Sequence, residues 1–321
     1  MLDFNLAGTS LKTDISKVFD LAVIGAGPAG LTAALYSGRY RLKTLLIEKK
    51  LVCGGQLATI NSLENYPGFS EPVSGGRIAR EMERQVIKSD VQILTAQVNN
   101  VDFSGEIKEI ATSKGLIKAK ALVISAGATP RMLGVAGEKE NIGKGVSYCA
   151  TCDGHLYIDK TIAVVGGGNT ALEETITLTK YAKKIFLIHR RGEFRADKIL
   201  QEKVRAIPKI EFILDTAVEG IDFSSENGKN VLINTKGKKR NLEVDGIFIF
   251  VGILPNSEIF EGSLKLKDGF IVTDEEMKTN IEGIFAAGDI RLKSLRQITT
   301  AVSDGAVAAF SAKNYLTEKN L

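Results

Sequence analysis

One design occurs twice in this chain of 321 residues. FDLAVIGAGPAGLTAALYSGR at 19–39 and KTIAVVGGGNTALEETITLTK at 160–180 each read as an apolar strand, a glycine-rich turn and a segment of helical period. Phe19, Leu21 and Val23 alternate with Ala22 and Ile24 in a nearly continuous apolar run, the pattern of a parallel strand buried on both faces. A second apolar strand follows each copy, LKTLLIEKK at 42–50 and AKKIFLIHRR at 182–191. Two βαβ units of this kind restrict the chain to the α/β class, with two Rossmann-like dinucleotide-binding domains.

The order of the remaining elements says how the two units are joined. Residues 91–128 read as short strands that end in ALVISAGAT at 121–129. Residues 210–245 read as hairpins, with turns at NGK (227–229) and KGKKR (236–240). The KGKKR run reads as a solvated hairpin, with docking of a partner as the rival. The strand DGIFIFVGILPN at 245–256 ends in a glycine turn, and GIFAAGDI at 283–290 precedes a small-residue helix, TTAVSDGAVAAFSAKNYL. The first unit needs further strands to complete its sheet, and this last segment can supply them. The second domain is then an insertion in the first, with crossings near 128–131 and 256–262. The expected division is an N-terminal extension at 1–17, a first domain at 18–129 and 259–321, and a second domain at 130–258.

Composition narrows the setting. Apolar residues at 44% suffice for two sizeable cores, and a net charge of +4, scattered along the chain, argues against nucleic acid as partner. No apolar run approaches the ~18 residues needed to span a bilayer, so no membrane is expected. The N-terminus carries Asp3 and lacks the basic-then-apolar pattern of a secretion signal. Three cysteines without an export signal point to a reducing compartment, the cytoplasm. There a CxxC pair is more often catalytic or metal-binding than structural.

Gly25-Ala26-Gly27-Pro28-Ala29-Gly30 fits G-x-G-x-x-G between a strand and a helix. Such glycines allow a tight turn, close approach to a pyrophosphate and close helix–strand packing, and the helix N-terminus adds N–H donors. Glu48 ends the second strand, where a carboxylate can accept hydrogen bonds from a ribose diol. A mere tight turn is the alternative. The second loop, Gly166-Gly167-Gly168-Asn169-Thr170-Ala171, fits G-x-G-x-x-A, but its second strand ends in His189-Arg190-Arg191, with Arg195 beyond. A carboxylate would repel a ribose 2′-phosphate, whereas guanidinium groups grip one, so NADP(H) is favoured over NAD(H). A basic solvated loop is the rival reading.

Cys149-Ala150-Thr151-Cys152 lies just before the second nucleotide-binding strand. Two intervening residues allow a small reducible disulfide ring, and such motifs often lower one thiol's pKa. Zinc on Cys149, Cys152, His155 and Cys53 is the competing arrangement, and a pair of buried thiols a third; the single, distant Cys53 weighs against zinc, and no metal is expected. His155 and His189 are the only histidines, which excludes a C-terminal histidine base. Asp153 is the nearest group able to give or take the thiol proton, unless it caps a helix or turn.

Together these residues resemble the low-molecular-weight, bacterial-type thioredoxin reductases, from about Phe19 to the C-terminus. The motifs are GAGPAG, CGGQL at 53–57, ENYPGF at 64–69, CATCDG at 149–154, GGGNTALEE at 166–174, HRRGEFRA at 189–196, GIFAAGDI, and RQITTA at 296–301. The larger, glutathione-reductase type carries its cysteines in the first domain and a histidine near its end, and this chain has neither.

The resemblance implies a flavoprotein homodimer, a two-dinucleotide-binding-domain enzyme. FAD would be held by Gly25, Gly27, Pro28, Ala29, Glu48, Gly55, Gln56, Leu57, Asn65, Val98, Gly127, Asp289, Arg296, Gln297 and Ile298. NADPH would be held in the inserted domain by Gly166, Gly168, Asn169, Thr170, Glu173, His189, Arg190, Arg191 and Arg195. Cys152 would face the flavin and Cys149 exchange with thioredoxin or a thioredoxin-like protein, with Asp153 as proton donor. The inserted domain, carrying both cysteines and NADPH, would have to rotate between two arrangements. Within the same class, a peroxiredoxin-linked or glutaredoxin-like acceptor is the alternative. The flavoprotein subunit of alkyl hydroperoxide reductase shares this core but adds an N-terminal domain, whereas this sequence begins about 17 residues before its first strand; a partner supplied in trans stays open. A flavin redox sensor without turnover is the reading outside the enzyme class. His155 stands where the family often has a larger apolar residue, Asn169 where it often has aspartate or serine, and Cys53 is an extra thiol; these departures bear on redox tuning.

Overall fold

The computed structural model describes residues 14–321, apart from 61, 62, 64 and 224–228. Most of the extension at 1–17, the Glu64 of ENYPGF and the first two residues of the NGK turn therefore lie outside the described residues. The chain divides into two compact units. The first runs up to Thr59 and resumes over Ser74–Ala128 and Pro255–Leu321; the second comprises Ile60–Val73 and Thr129–Leu254.

The first unit opens with β1 (Val18–Ile24), α1 (Pro28–Arg39), β2 (Thr44–Glu48), α2 (Gly75–Ile87) and β3 (Gln92–Thr95), followed by β4 (Val98–Asp102), β5 (Lys108–Thr112) and β6 (Gly115–Ile124). β1, β2 and β3 are parallel neighbours in the order β3-β2-β1-β6-β5-β4. β1 and β2 are almost wholly buried, as their unbroken apolar runs require. Pro28 at the first helical turn suits α1, because its missing N–H has no partner to lose there.

β7 (Ala128–Pro130) leaves this sheet, and the second unit repeats the plan. It contains β8 (Val146–Ser147), the short helix α3 (Ala150–Asp153), β9 (Thr161–Gly166), α4 (Asn169–Leu178), β10 (Lys184–Ile188), α5 (Lys198–Arg205) and β11 (Ile210–Ile213). β12 (Thr216–Asp222), β13 (Asn230–Thr235) and β14 (Lys238–Glu243) form an antiparallel three-stranded sheet. Lys238, Lys239 and Arg240, from the KGKKR run, start β14 and are exposed. β15 (Gly246–Phe250) joins the parallel sheet in the order β11-β10-β9-β15-β8. β16 (Ile253–Pro255) then pairs with β7, so the two crossings lie side by side.

Back in the first unit, β17 (Leu266–Lys267) and β18 (Phe270–Ile271) make a small hairpin, and β19 (Ile284–Ala286) leads to the long helix α6 (Ile298–Glu318). The C-terminal segment does complete the first sheet. β6 is ten residues long. Its first half pairs antiparallel with β5, while Leu122–Ile124 pair parallel with β19. The small residues of α6 let it approach α1 closely; a Cβ on Gly305 would lie 2.2 Å from the Ala29 carbonyl oxygen. Both units are thus α/β layers with Rossmann-like parallel sheets, and the second is inserted in the first. Among the described residues no helix is long and apolar enough to cross a membrane.

Candidate nucleotide-binding and redox sites

In the first unit, the turn between β1 and α1 is shaped by two glycines and opened by a third. Gly25 has φ +98°, and a Cβ there would meet the Ser125 carbonyl oxygen at 2.6 Å. One on Gly30 would sit 1.7 Å from the Gly25 carbonyl oxygen, whereas one on Gly27 would meet nothing within 4 Å. The loop is closed on the protein side and free on the other, at the N-terminus of a helix, as a phosphate cradle must be. Ser125, on no motif, supports it by bonding the carbonyls of Ile24 and Gly25, each at 2.9 Å.

Other segments converge on this turn. Glu48 is buried, and its carboxylate accepts from Ala26 N–H at 2.8 Å and Lys50 N–H at 3.0 Å, so it braces the loop. Gly54 N–H donates to the Ala26 carbonyl at 2.7 Å, and Gly55 abuts Gly27. Gln56 Nε2 donates to Ala128 O at 2.6 Å, beside Gly127 with φ +68°, and Leu57 is buried below. Val98 begins β4 two residues after Ala96, whose N–H bonds the Glu48 carbonyl at 2.9 Å. Gly288 packs against Ala29 and brings in Asp289. Asn65 lies on the 60–73 segment, which groups with the second unit.

The start of α6 completes the first site. Gln297 forms a capping box with Thr300, Ile298 is the first helical residue, and the Arg296 guanidinium lies 4.2 Å from the centre of the Phe270 ring. Asp289 Oδ1 and Arg296 Nε are buried without a hydrogen-bond partner. Burial raises the Asp289 carboxyl above its ordinary range, against the pull of Lys293 and Arg296. Two orphaned polar atoms of opposite sign beside an open glycine cradle fit a polar, phosphate-bearing cofactor. Cys53 is buried, and burial, with Glu83 beside it, pushes its thiol up to about 12.

In the second unit, Gly166 ends β9, and Gly168 caps α4, which starts at Asn169 and Thr170. A Cβ on Gly168 would meet nothing within 4 Å, so this loop too is open. The arginine segment is tied to it: Arg195 N–H and Ala196 N–H both donate to the Gly167 carbonyl, at 2.7 and 3.2 Å. Asn169 and Asp197 bond reciprocally, with Asn169 Nδ2 donating to Asp197 Oδ2 at 2.8 Å and Asp197 N–H donating to Asn169 Oδ1 at 2.9 Å. Arg190, Arg191, Arg195 and Glu173 are exposed. His189 is not. Its ring lies against Gly167 and 5.4 Å from Phe194, and burial lowers its pKa, helped by the three arginines and opposed by a hydrogen bond to the Glu193 backbone.

Cys149 and Cys152, both partly exposed at the start of α3, form a disulfide. Cys152 N–H donates to Cys149 Sγ at 3.1 Å. Asp153 stands at the N-cap of the 3₁₀ turn that follows but makes no side-chain cap bond to it. Its Oδ2 accepts the Ser147 hydroxyl at 2.6 Å, and Ser147 Oγ accepts Cys149 N–H at 3.1 Å. Ser147 is buried at the end of β8, and no motif had pointed to it. Behind it, Tyr148 OH donates to the buried Glu138 at 2.8 Å, fixing the strand that presents the cysteines.

Sequence comparison gives these two loops and the disulfide a relative. The profile of the pyridine nucleotide-disulphide oxidoreductase family matches residues 19–305. The thioredoxin reductase of Peptoclostridium acidaminophilum is 44% identical over 94% of this chain and 98% of its own length. That of Bacillus subtilis is 43% identical over 94% and 96%. The chain belongs to the thioredoxin reductase family of pyridine nucleotide-disulphide oxidoreductases. A solved thioredoxin reductase from Streptococcus pyogenes superposes with a TM-score of 0.88 at 41% identity, covering 94% of this chain and 99% of that one. Membership in this family implies a flavin and a pyridine nucleotide, and the two open glycine cradles, one in each unit, suit one nucleotide each.

Proposed function

We propose that this chain is an NADPH-dependent thioredoxin-disulfide reductase, with FAD in a first domain, 18–129 and 259–321, and NADPH in an inserted second domain, 130–258. The Cys149–Cys152 disulfide carries the reading, because it shares a unit with a glycine loop flanked by three arginines. When bound, FAD supplies a two-electron relay between a nicotinamide hydride and a disulfide. Gly25, Gly27, Pro28 and Ala29 would take its pyrophosphate, Glu48 its ribose, and Gln56, Asp289, Arg296 and Gln297 its flavin end. Arg190, Arg191 and Arg195 would grip the 2′-phosphate of NADPH, and Asn169, Thr170 and Glu173 would border its pyrophosphate.

The chain's own part is thiol chemistry. Two electrons and two protons convert the Cys149–Cys152 disulfide to a dithiol. The Cys152 N–H aimed at Cys149 Sγ then favours the thiolate on Cys149, since a hydrogen bond to a charged form stabilises it. Cys149 attacks the thioredoxin disulfide and forms a mixed disulfide. Cys152 next attacks Cys149 Sγ and releases reduced thioredoxin, while Asp153 delivers the proton that the departing thiolate needs. The reading includes a homodimer in the cytoplasm, as in the family it resembles.

An anaerobic titration of the purified yellow protein tests it. NADPH, far better than NADH, should bleach the flavin band, with about two equivalents for full reduction because flavin and disulfide each take two electrons. Thioredoxin should then be reduced by the native protein and not by Cys149→Ser. A protein that neither nicotinamide bleaches would refute the reading.

A further inference from the structure

Lys293 belongs to none of the motifs above, yet it joins the residues assigned to the flavin. Its side chain is 9% exposed. Its ammonium lies 3.0 Å from Asp304 Oδ2, 3.2 Å from Thr300 Oγ1 and 3.6 Å from Asp289 Oδ1. Each partner leads to the site. Asp289 is half-buried, its Oδ1 is buried without a hydrogen bond, and Lys293 is the ion-pair partner of that oxygen. Thr300 Oγ1 accepts the Gln297 N–H at 3.2 Å, half of the capping box that orients Gln297. Asp304, on α6, also accepts Gly288 N–H at 3.0 Å and Arg291 at 3.1 Å.

We propose that Lys293 is a positioning residue for the flavin, holding Asp289 and the Gln297 turn in register with α6 and setting, together with Asp304, the charge of that wall of the site. The proposal rests on the FAD reading of the first unit. Without the ammonium, the Asp289 and Asp304 carboxylates lose the cation between them, and Asp289 is free to turn away. The loop itself stays attached, because Arg291 and Gly288 both remain bonded to Asp304. A Lys293 variant therefore folds, and its defect falls on the flavin.

The test uses apoprotein stripped of flavin, with FAD binding followed by fluorescence quenching, and the reconstituted holoprotein, with the flavin midpoint potential measured. Lys293→Met should weaken FAD binding by about tenfold or more and Lys293→Arg by about threefold or less, the scale of one charged hydrogen bond. The potentials separate positioning by charge from mere loosening. Reduced flavin carries added negative charge, so Lys293→Met should shift the potential to more negative values and Asp304→Asn to less negative ones. Lys293→Met binding FAD within about twofold of the native protein, below the weight of any charged contact, overturns the proposal. So do shifts of the same sign in both variants. If the native apoprotein binds no FAD, it is the reading of the first unit that fails, and this proposal falls with it.

Discussion

The Ser147 hydroxyl donates to Asp153 Oδ2 at 2.6 Å, and Ser147 Oγ accepts the N–H of Cys149 at 3.1 Å. One buried side chain thus connects the acid beside the second cysteine to the backbone of the first. Since efficient proton transfer depends on placement before pKa, Ser147→Ala should slow thioredoxin turnover by about tenfold, a fraction of what a whole acid–base group supplies. Ser147→Thr should restore most of it. Stopped-flow reduction of the flavin by NADPH should be unchanged in both variants. A flavin step slowed as much as turnover would mean that Ser147 holds the fold and not the acid.

The two glycines of the first loop should fail in different ways. A methyl on Gly30 would collide with the Gly25 carbonyl, at the crossing of β1 and α1. Gly30→Ala should therefore cost about 3 kcal/mol or more, the upper range for overpacking, and show as a lowered melting temperature. The methyl of Gly27→Ala meets no protein atom. That variant should melt like the native apoprotein yet bind FAD at least about tenfold more weakly, if the space belongs to a pyrophosphate. Equal FAD affinity would assign the cradle elsewhere.

The contrast between those glycines marks what was legible in the chain. Glycine spacing, strand periodicity and the residue ending the second strand are local signals, so both βαβ units, the cysteine pair and the completion of the first sheet by 283–290 could be read directly. Ser125, Ser147, Lys293 and Asp304 could not. Each matters through a partner that only the fold brings near: Ser125 meets Gly25 across a parallel pairing of β1 with β6, and Lys293 meets Asp304 eleven residues away through the cap of α6. The grouping of 60–73 with the second unit also depends on contacts no motif encodes. Cys53, a departure from the family pattern, becomes intelligible once its burial is seen, because a thiol held near 12 is inert at neutral pH.

Asn169 is a second departure that the structure explains. It donates to Asp197 through Nδ2, so an aspartate in its place would set two carboxylates face to face where a bond at 2.8 Å now stands. Asn169→Asp should raise KM for NADPH and NADH alike by about fivefold, the value of one hydrogen bond, because the pair ties the arginine segment to the glycine loop. Adding Asp197→Asn restores a donor and should return KM toward the native value. Arg190→Ala should instead weaken NADPH alone. Equal losses for both nucleotides in Arg190→Ala would remove the 2′-phosphate from the argument.

His189 makes the stability of the second unit depend on pH. Burial, and then the nearby arginines, hold its pKa below the ordinary value of 6.5 in the folded protein. The unfolded chain therefore binds the proton more readily. The contribution of the neutral ring is complete above pH 6.5 and is lost as pH falls from there toward the lower folded value. His189→Phe keeps an aromatic ring between Gly167 and Phe194 but cannot be charged. Between pH 7.5 and about 5.5, spanning the ordinary histidine range, the melting temperature of the native protein should fall further than that of the variant. The carboxylates titrate in both proteins and cancel in the comparison. Parallel melting curves across that window would show that the buried ring carries no such cost, and that the segment from His189 to Arg195 opens freely to solvent.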